Sequence, residues 1–354
     1  MNLPNFIRSQ VTSQSLKITN YYQLGYFLFG PPILEFCRRL IVRTINDGNL
    51  DYLLFISREG FLLQKVYNLL TKQLLNAQHI DNSYFLASRR SITIINIRDM
   101  SDIPCLLKYK YTGTLSDLLK FRFGINDTDF TTFNIKLPQD VNLALPKILL
   151  NYGSQIIDNA TFERNNYMKY INTVLTNVNT KSKIVGVVDF GYSGTIQENL
   201  QKLLNCHLRG YYFVTNTNNA TDSTGLMVNR STKVKTTSNI YKYNLLFESI
   251  LTSDKGQLLH FDSNGKPVYA TPEHDYSIIE QIHHGIVNFV YNIVSTCKKE
   301  FLTSELSETL INVWLNKFVR NPSSISKNVI TVFEFNDNYC NSFKGNALQA
   351  YSRV

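Results

Sequence analysis

Apolar residues fall along the chain in two alternating patterns. Short uninterrupted runs are followed by stretches whose apolar positions recur every three or four residues. Three runs predict buried strands: DYLLFIS (51–57), SYFLA (83–87), and a β-branched run through Ile184, Val185, Val187 and Val188 that ends at Asp189. GYYFVT (210–215) predicts a fourth. Gly30-Pro31-Pro32 marks a helix start, because proline is tolerated in a first turn. Ile33, Leu34, Cys37, Leu40 and Ile41 then give that helix one apolar face as far as Ile45. Arg38, Arg39 and Arg43 fall off this face and predict a solvated basic surface. Leu62, Val66, Leu69 and Leu70 repeat at helical spacing after the first strand, and residues 196–204 do so after the third. A long amphipathic helix is predicted through Ile278, Ile282, Ile286, Phe289, Ile293 and Cys297, and another over 310–318.

This alternation predicts an α/β protein with a mostly parallel sheet, whose strands deliver their loops to one common edge. Residues 1–22 read as a lead-in. Residues 97–180 break the regularity into mixed helical patterns (LSDLLKFRFG, ALPKILLNYG, FERNNYMKYINTVL) and predict a helical insertion beside the sheet. Residues 216–240, rich in Asn, Thr and Ser, predict a long loop. Ser263-Asn264-Gly265 predicts a hairpin turn. Beyond Pro322 the pattern fades.

Length and charge narrow this only a little. The 354 residues suffice for a sizeable core, and 36 basic against 27 acidic residues give a formal charge of +9. That balance suits an anionic partner such as a nucleotide, a phosphosugar, a membrane surface or a nucleic acid. The first ten residues lack an apolar leader, and no run has the roughly 18 apolar residues of a spanning helix. The expectation is a cytoplasmic protein, with a charge that would allow peripheral contact with the inner face of the membrane. Cys37, Cys105, Cys206, Cys297 and Cys340 form no C-x-x-C pair, and reduced core thiols are expected. The six histidines (79, 207, 260, 274, 283 and 284) show no metal spacing, and His283 and His284 are expected to be solvated. No Walker loop, G-x-S-x-G or nucleic-acid-binding signature is present.

The chemistry concentrates in the loops after the predicted strands. Gly191, Tyr192, Ser193, Gly194 and Thr195 lie between a strand and a helix, where backbone N–H groups, hydroxyls and a helix N-terminus favour a phosphate. Ser57, Arg58, Glu59 and Gly60 form a second such loop. Its glycine lets backbone approach a pyrophosphate, and its guanidinium can bind two oxygens together. Between these loops Asp189 can accept from the vicinal hydroxyls of a ribose. Arg89 and Arg90 follow SYFLAS directly and are candidates for a pyrophosphate contact. Asp127-Thr128-Asp129-Phe130-Thr131 matches D-x-D-x-T but lacks an aliphatic strand before it, and reads as a turn.

The strand ending in Asp189 and its Gly/Ser/Thr loop resemble the phosphoribosyl-pyrophosphate (PRPP) loop of type I phosphoribosyltransferases. LLFISREGFLL resembles their pyrophosphate loop, and FLASRRS the strand and basic residues that reach the pyrophosphate. The order of the three, closed by Phe247-Glu248-Ser249, is similar to the bacterial glycan phosphoribosyltransferases of surface-polysaccharide assembly. The resemblance implies a type I phosphoribosyltransferase-like core over 24–96 and 181–260, a helical insertion or cap over 97–180, and a mainly helical acceptor-side region over 261–354. It implies transfer of ribose 5-phosphate from PRPP to a hydroxyl of a lipid-linked or growing glycan. Pyrophosphate would leave with Mg²⁺ carried by PRPP, and inversion at C1 would give a β-linked product. Glu59 and Glu248 are then the candidate bases, beside Asp189 and Arg58. Because residues 127–131 read as a turn, a separate phosphatase of the haloacid-dehalogenase class is expected to remove the 5-phosphate. Val188 stands where the ordinary enzymes have a second acid, which points away from nucleobase salvage. Two other readings stay open: a sugar-nucleotide glycosyltransferase, and a non-catalytic PRPP- or phosphosugar-binding regulator.

Overall fold

Both faces of the first strand are apolar, which puts it in the interior of a sheet with packing on each side. Leu53 and Phe55 point into one core, Leu54 and Ile56 into another, and all four are fully buried. The computed structural model describes residue 5 and residues 16–74, 80–176, 184–216, 222–230, 238–272, 275–336 and 344–348. In chain order its main elements begin with helix α1 (Gly30–Asp47), strand β1 (Leu50–Ile56), α2 (Gly60–Leu74), β2 (Asp81–Phe85) and α3 (Arg89–Ile94). A hairpin of β3 (Tyr111–Thr114) and β4 (Asn134–Leu137) leads to α4 (Val141–Val174), β5 (Ile184–Tyr192) and α5 (Thr195–Leu204). Then come β6 (Leu208–Asn216), β7 (Ser223–Arg230), α6 (Asn244–Ile250), the hairpin β8 (Leu258–Phe261) and β9 (Pro267–Tyr269), α7 (Tyr276–Cys297) and α8 (Glu308–Val319).

The five-stranded sheet has the order β2-β1-β5-β6-β7 and every pairing is parallel. Helices cover both faces, as the alternating pattern requires of an α/β fold. Apolar faces of α1, α2, α7 and α8 share one core with the sheet. Residues of α3, α4, α5 and the β8–β9 hairpin share the other.

Several local expectations are corrected. Residues 223–230 are a strand, not part of a long loop. Only Leu226, Met227 and Val228 are apolar in it, and six residues separate it from β6, short for a parallel crossover. Gly30-Pro31-Pro32 does not begin the first helical path. Asn20 caps a turn at Tyr21–Gln23, a π-helical stretch runs over Leu24–Phe29, and α1 continues from it. Two prolines can follow because the N–H groups they lack fall where the wide turn gives way to the regular helix.

Arg38 and Arg39 are not a solvated surface. Glu35 is fully buried, and its carboxylate accepts from Arg38 Nε at 2.8 Å and Arg39 Nε at 2.7 Å. Arg38 Nη2 donates to the same carboxylate, while Arg38 Nη1 and the two Arg39 Nη atoms donate to the carbonyls of Leu302, Leu226 and Leu306. Arg43 alone stays half exposed, beside Asp47. His283 is buried and its Nε2 donates to the Ile250 carbonyl at 2.9 Å, whereas His284 is exposed. Cys37, Cys206 and Cys297 are buried, as expected of core cysteines, but Cys105 is exposed. His79, His274 and Cys340 lie outside the described residues.

The insertion is mainly helical but less fragmented than its pattern. ALPKILLNYG and FERNNYMKYINTVL are parts of one 34-residue helix, α4, which buries Ile148, Ile156, Ala160, Tyr167 and Ile171. The β3–β4 hairpin escaped notice because neither strand exceeds four residues. Residues 127–131 lie in irregular backbone after a π-helical turn, not at a strand end. The predicted turn at 263–265 is present, with Gly265 at φ 75°. A boundary at residue 261 would cut the β8–β9 hairpin, and α7 and α8 complete the core under α1 instead of standing apart. No described helix is long and apolar enough to cross a membrane.

Candidate functional site

Strands β2, β1 and β5 are neighbours in a parallel sheet, so the loops leaving their carboxyl ends open on one edge. Strand β5 runs further than its sequence implies, through Asp189 and Gly191 to Tyr192, still paired to β6. Gly191 has φ 131°, and a Cβ there would stand 2.1 Å from the Val214 carbonyl oxygen. Only glycine fits that strand position. The loop proper is reduced to Ser193 and Gly194 before α5 begins at Thr195. Ser193 Oγ and Thr195 Oγ1 lie 3.1 Å apart at the N-terminus of α5, where unpaired backbone N–H groups favour an anion.

Directly after β1, Ser57 is committed to structure. Its hydroxyl donates to the Ala87 carbonyl at 2.8 Å and accepts from Ala87 N at 3.0 Å, stitching the β1 loop to the β2 loop. Glu59 accepts from Arg58 N at 3.0 Å, and Gly60 opens α2. The Ser57–Arg58 and Gly191–Tyr192 peptides are both cis.

After β2 the two arginines part company. Ser88 and Ser91 form a reciprocal cap, so Arg89 and Arg90 are the first residues of α3. Arg90 is buried against Glu163 of α4, with Nη2 2.7 Å from Oε1, and also donates to the Leu259 carbonyl. That pairing commits the Arg90 guanidinium to the interface with α4 and the β8–β9 hairpin. Arg89 faces the other way, and its charge favours the ionised forms of Asp189, Tyr192 and Glu248.

The three carboxylates expected at the site influence one another. Burial, then the Glu59 charge, then Glu248 push Asp189 well above the usual carboxylate range, against a 2.7 Å hydrogen bond from Phe190 N and the pull of Arg89. Burial and Glu59 likewise raise Glu248 to about 7, although Arg89, Tyr192 and Asn244 favour its ionised form. Like charges this close do not all ionise at neutral pH, so the cluster retains protons there. Glu248 is on α6, where Phe247 packs on Phe190 of β5 with centroids 5.8 Å apart. This contact brings Glu248 to the end of β5.

The Tyr192 side chain is engaged by α6. Its hydroxyl donates to Glu248 Oε1 at 3.1 Å and accepts from Asn244 Nδ2. Asn244 was missed by the sequence reading, although it precedes Glu248 by one helical turn and so shares its face of α6. Tyr84 was missed as well. It comes from β2, burial raises its phenol, and Ser253, Glu59 and Arg58 all act on it. Its signal was hidden inside an apolar run.

Among the described residues, no three carboxylate, imidazole or thiolate groups stand close enough to cage a metal ion. The donors present are carboxylate oxygens, which suit Mg²⁺, and Mg²⁺ bound to a diphosphate needs only one or two of them. The arrangement therefore offers a helix N-terminus for a phosphate, two guanidiniums for a second anionic group, and a proton-holding carboxylate cluster between. No protein-family model matches the chain, and no curated protein matches it significantly.

Proposed function

We propose that the protein binds PRPP across the carboxyl ends of β2, β1 and β5 and transfers its ribose 5-phosphate to a hydroxyl of a glycan. The carrying observation is the adjacency of these three strands, which opens the Ser57–Gly60 loop, the start of α3 and the Ser193–Thr195 turn on one edge, with the Glu59 and Arg89 charges acting on Asp189. In this reading the 5-phosphate lies on the N-terminus of α5, and Asp189 binds the ribose hydroxyls. The bond from C1 to pyrophosphate breaks as a bond from C1 to the acceptor oxygen forms, with inversion. Charge gathering on the departing pyrophosphate is met by Arg58 and Arg89. Mg²⁺, when bound, supplies further neutralisation of the diphosphate, and Glu59 and Asp189 are the carboxylates that would complete its shell. Glu248, raised to about 7, is half ionised near neutral pH and so is matched to taking the proton from the acceptor hydroxyl. The product keeps its 5-phosphate, which a separate phosphatase would remove.

Calorimetric titration with PRPP and Mg²⁺ tests the donor half of this reading. Saturable binding, abolished by Arg58→Ala and by Asp189→Ala in proteins whose circular dichroism is unchanged, is the expected result. Absence of binding to the folded wild-type protein would overturn it.

A further inference from the structure

A cleft of about 440 Å³ opens between α4, the turn after residue 123, and the β8–β9 hairpin. Its floor is the buried Arg90–Glu163 pair, whose charges cancel. The absence of a side chain at Gly124 makes room for that floor, since a Cβ there would stand 2.6 Å from Arg90 Nη2. The walls carry two aromatic rings, Phe121 and Phe162, the latter 50% exposed on α4. Neutral polar groups surround them: Asn126, Asn159, Gln257 and His260. Asn159 is fixed by donating to the Phe123 carbonyl at 3.3 Å. Among the described residues His260 Nδ1 is buried with no hydrogen-bond partner. Burial and the neighbouring Arg90 charge lower the His260 pKa, so the imidazole is neutral at physiological pH.

Such a lining fits one ligand chemistry better than others. A sugar ring has flat C–H faces that pack on aromatic rings, and a rim of hydroxyls that need groups able both to donate and to accept. A phosphate or nucleotide would need uncompensated positive charge, and among the described residues that line the cleft this comes from Lys120 alone, which lies 5.9 Å from the Phe121 ring. The cleft also has a fixed relation to the strand ends. Arg90 in its floor follows Arg89, and Ser88 Oγ donates to the Leu258 carbonyl at 2.7 Å, holding the hairpin against the start of α3. The volume falls within the roughly 300–1,000 Å³ of small-ligand sites.

We infer that this cleft is the acceptor subsite, binding a neutral pyranose unit of the glycan behind its reacting end. The inference rests on the phosphoribosyl-transfer reading for the role of the sugar, but the binding itself is measured independently. Saturation-transfer NMR would use the methyl glycosides of glucose, galactose, mannose and N-acetylglucosamine as probes, with uridine monophosphate as the competing chemistry. The full chain would be compared with Phe162→Ala and His260→Gln. At least one glycoside should bind, about tenfold more weakly in Phe162→Ala, while PRPP affinity is the same in wild type and Phe162→Ala. Phe162 is half exposed, so its loss leaves the fold intact, and His260→Gln gives a second reading if it does not. Absence of binding by every glycoside, binding indifferent to both substitutions, or preference for the nucleotide would each overturn the inference. Sugar binding by a protein that ignores PRPP would uphold the cleft and defeat the donor assignment instead.

Discussion

Glu248→Gln should make the protein more stable at neutral and alkaline pH, and the gain should vanish in mild acid. Burial and Glu59 raise the carboxyl from 4.5 to about 7 in the folded chain. A raised acid binds more protons folded than unfolded between those two values, so its contribution is complete below about pH 4.5 and is lost as pH rises through about 7. At about 1.4 kcal/mol per pH unit the loss amounts to about 3 kcal/mol. Glutamine carries no charge at any pH, and its amide oxygen can still accept from the Tyr192 hydroxyl. Urea unfolding followed by circular dichroism at about pH 4 and about pH 8 gives the comparison, because all other titrations are common to both proteins. The variant should match wild type in acid and exceed it by up to about 3 kcal/mol in alkali. An offset equal at both pH values would refute a desolvated Glu248 and remove the basis for its role as a base near neutrality.

Glu163→Gln leaves the buried Arg90 guanidinium unbalanced and should lower stability by about 3–5 kcal/mol. Replacing both partners with apolar residues should restore most of it, and a double variant as unstable as the single one would contradict the pairing. Gly191→Ala forces a Cβ to within 2.1 Å of the Val214 oxygen. Displacing β5 at this point should lower both melting temperature and PRPP affinity, and an alanine variant with wild-type values would show that the strand end tolerates a side chain. His283 is buried and lowered from 6.5 to about 4. A lowered base stabilises above its unfolded value and loses that contribution as pH falls through about 4, so His283→Gln should move acid unfolding to lower pH, and an unchanged midpoint would count against a neutral buried imidazole.

The parallel sheet was readable because its strands are buried on both faces, which leaves uninterrupted runs such as Leu53 to Ile56. Asp189, Arg58 and Glu59 were readable for the same reason, since each directly follows such a run. What escaped was set by contacts distant in sequence. Nothing local distinguishes Arg38 and Arg39 from solvated arginines, because the carbonyls that bind them come from residues 226, 302 and 306. Arg90 looks equivalent to Arg89 until Glu163 arrives from α4, 73 positions away. Strand β7 has too few apolar residues to stand out, and its place is fixed by pairing to β6. The cleft beside α4 is assembled from four separate stretches, around residues 90, 120–126, 159–163 and 257–270, and no local pattern in the chain announces their meeting.

Burial of Glu35, Arg38 and Arg39 also bears on when the protein can fold. Helix α1 leaves the ribosome well before the segments that enclose it, since its charged trio is completed by carbonyls of Leu302 and Leu306, and the Tyr21 hydroxyl donates to the Asn328 carbonyl 307 positions later. At about 5–20 residues per second, roughly 15–60 s pass between synthesis of α1 and of the segments that enclose it. During that interval Ile33, Leu34, Phe36 and Leu40 have no α7 or α8 to cover them, which makes α1 a natural client for a chaperone. Nascent chains arrested before residue 300 should therefore be cleaved by protease within α1 and protected there once 276–333 has emerged, and early protection would mean that another surface shelters the helix first.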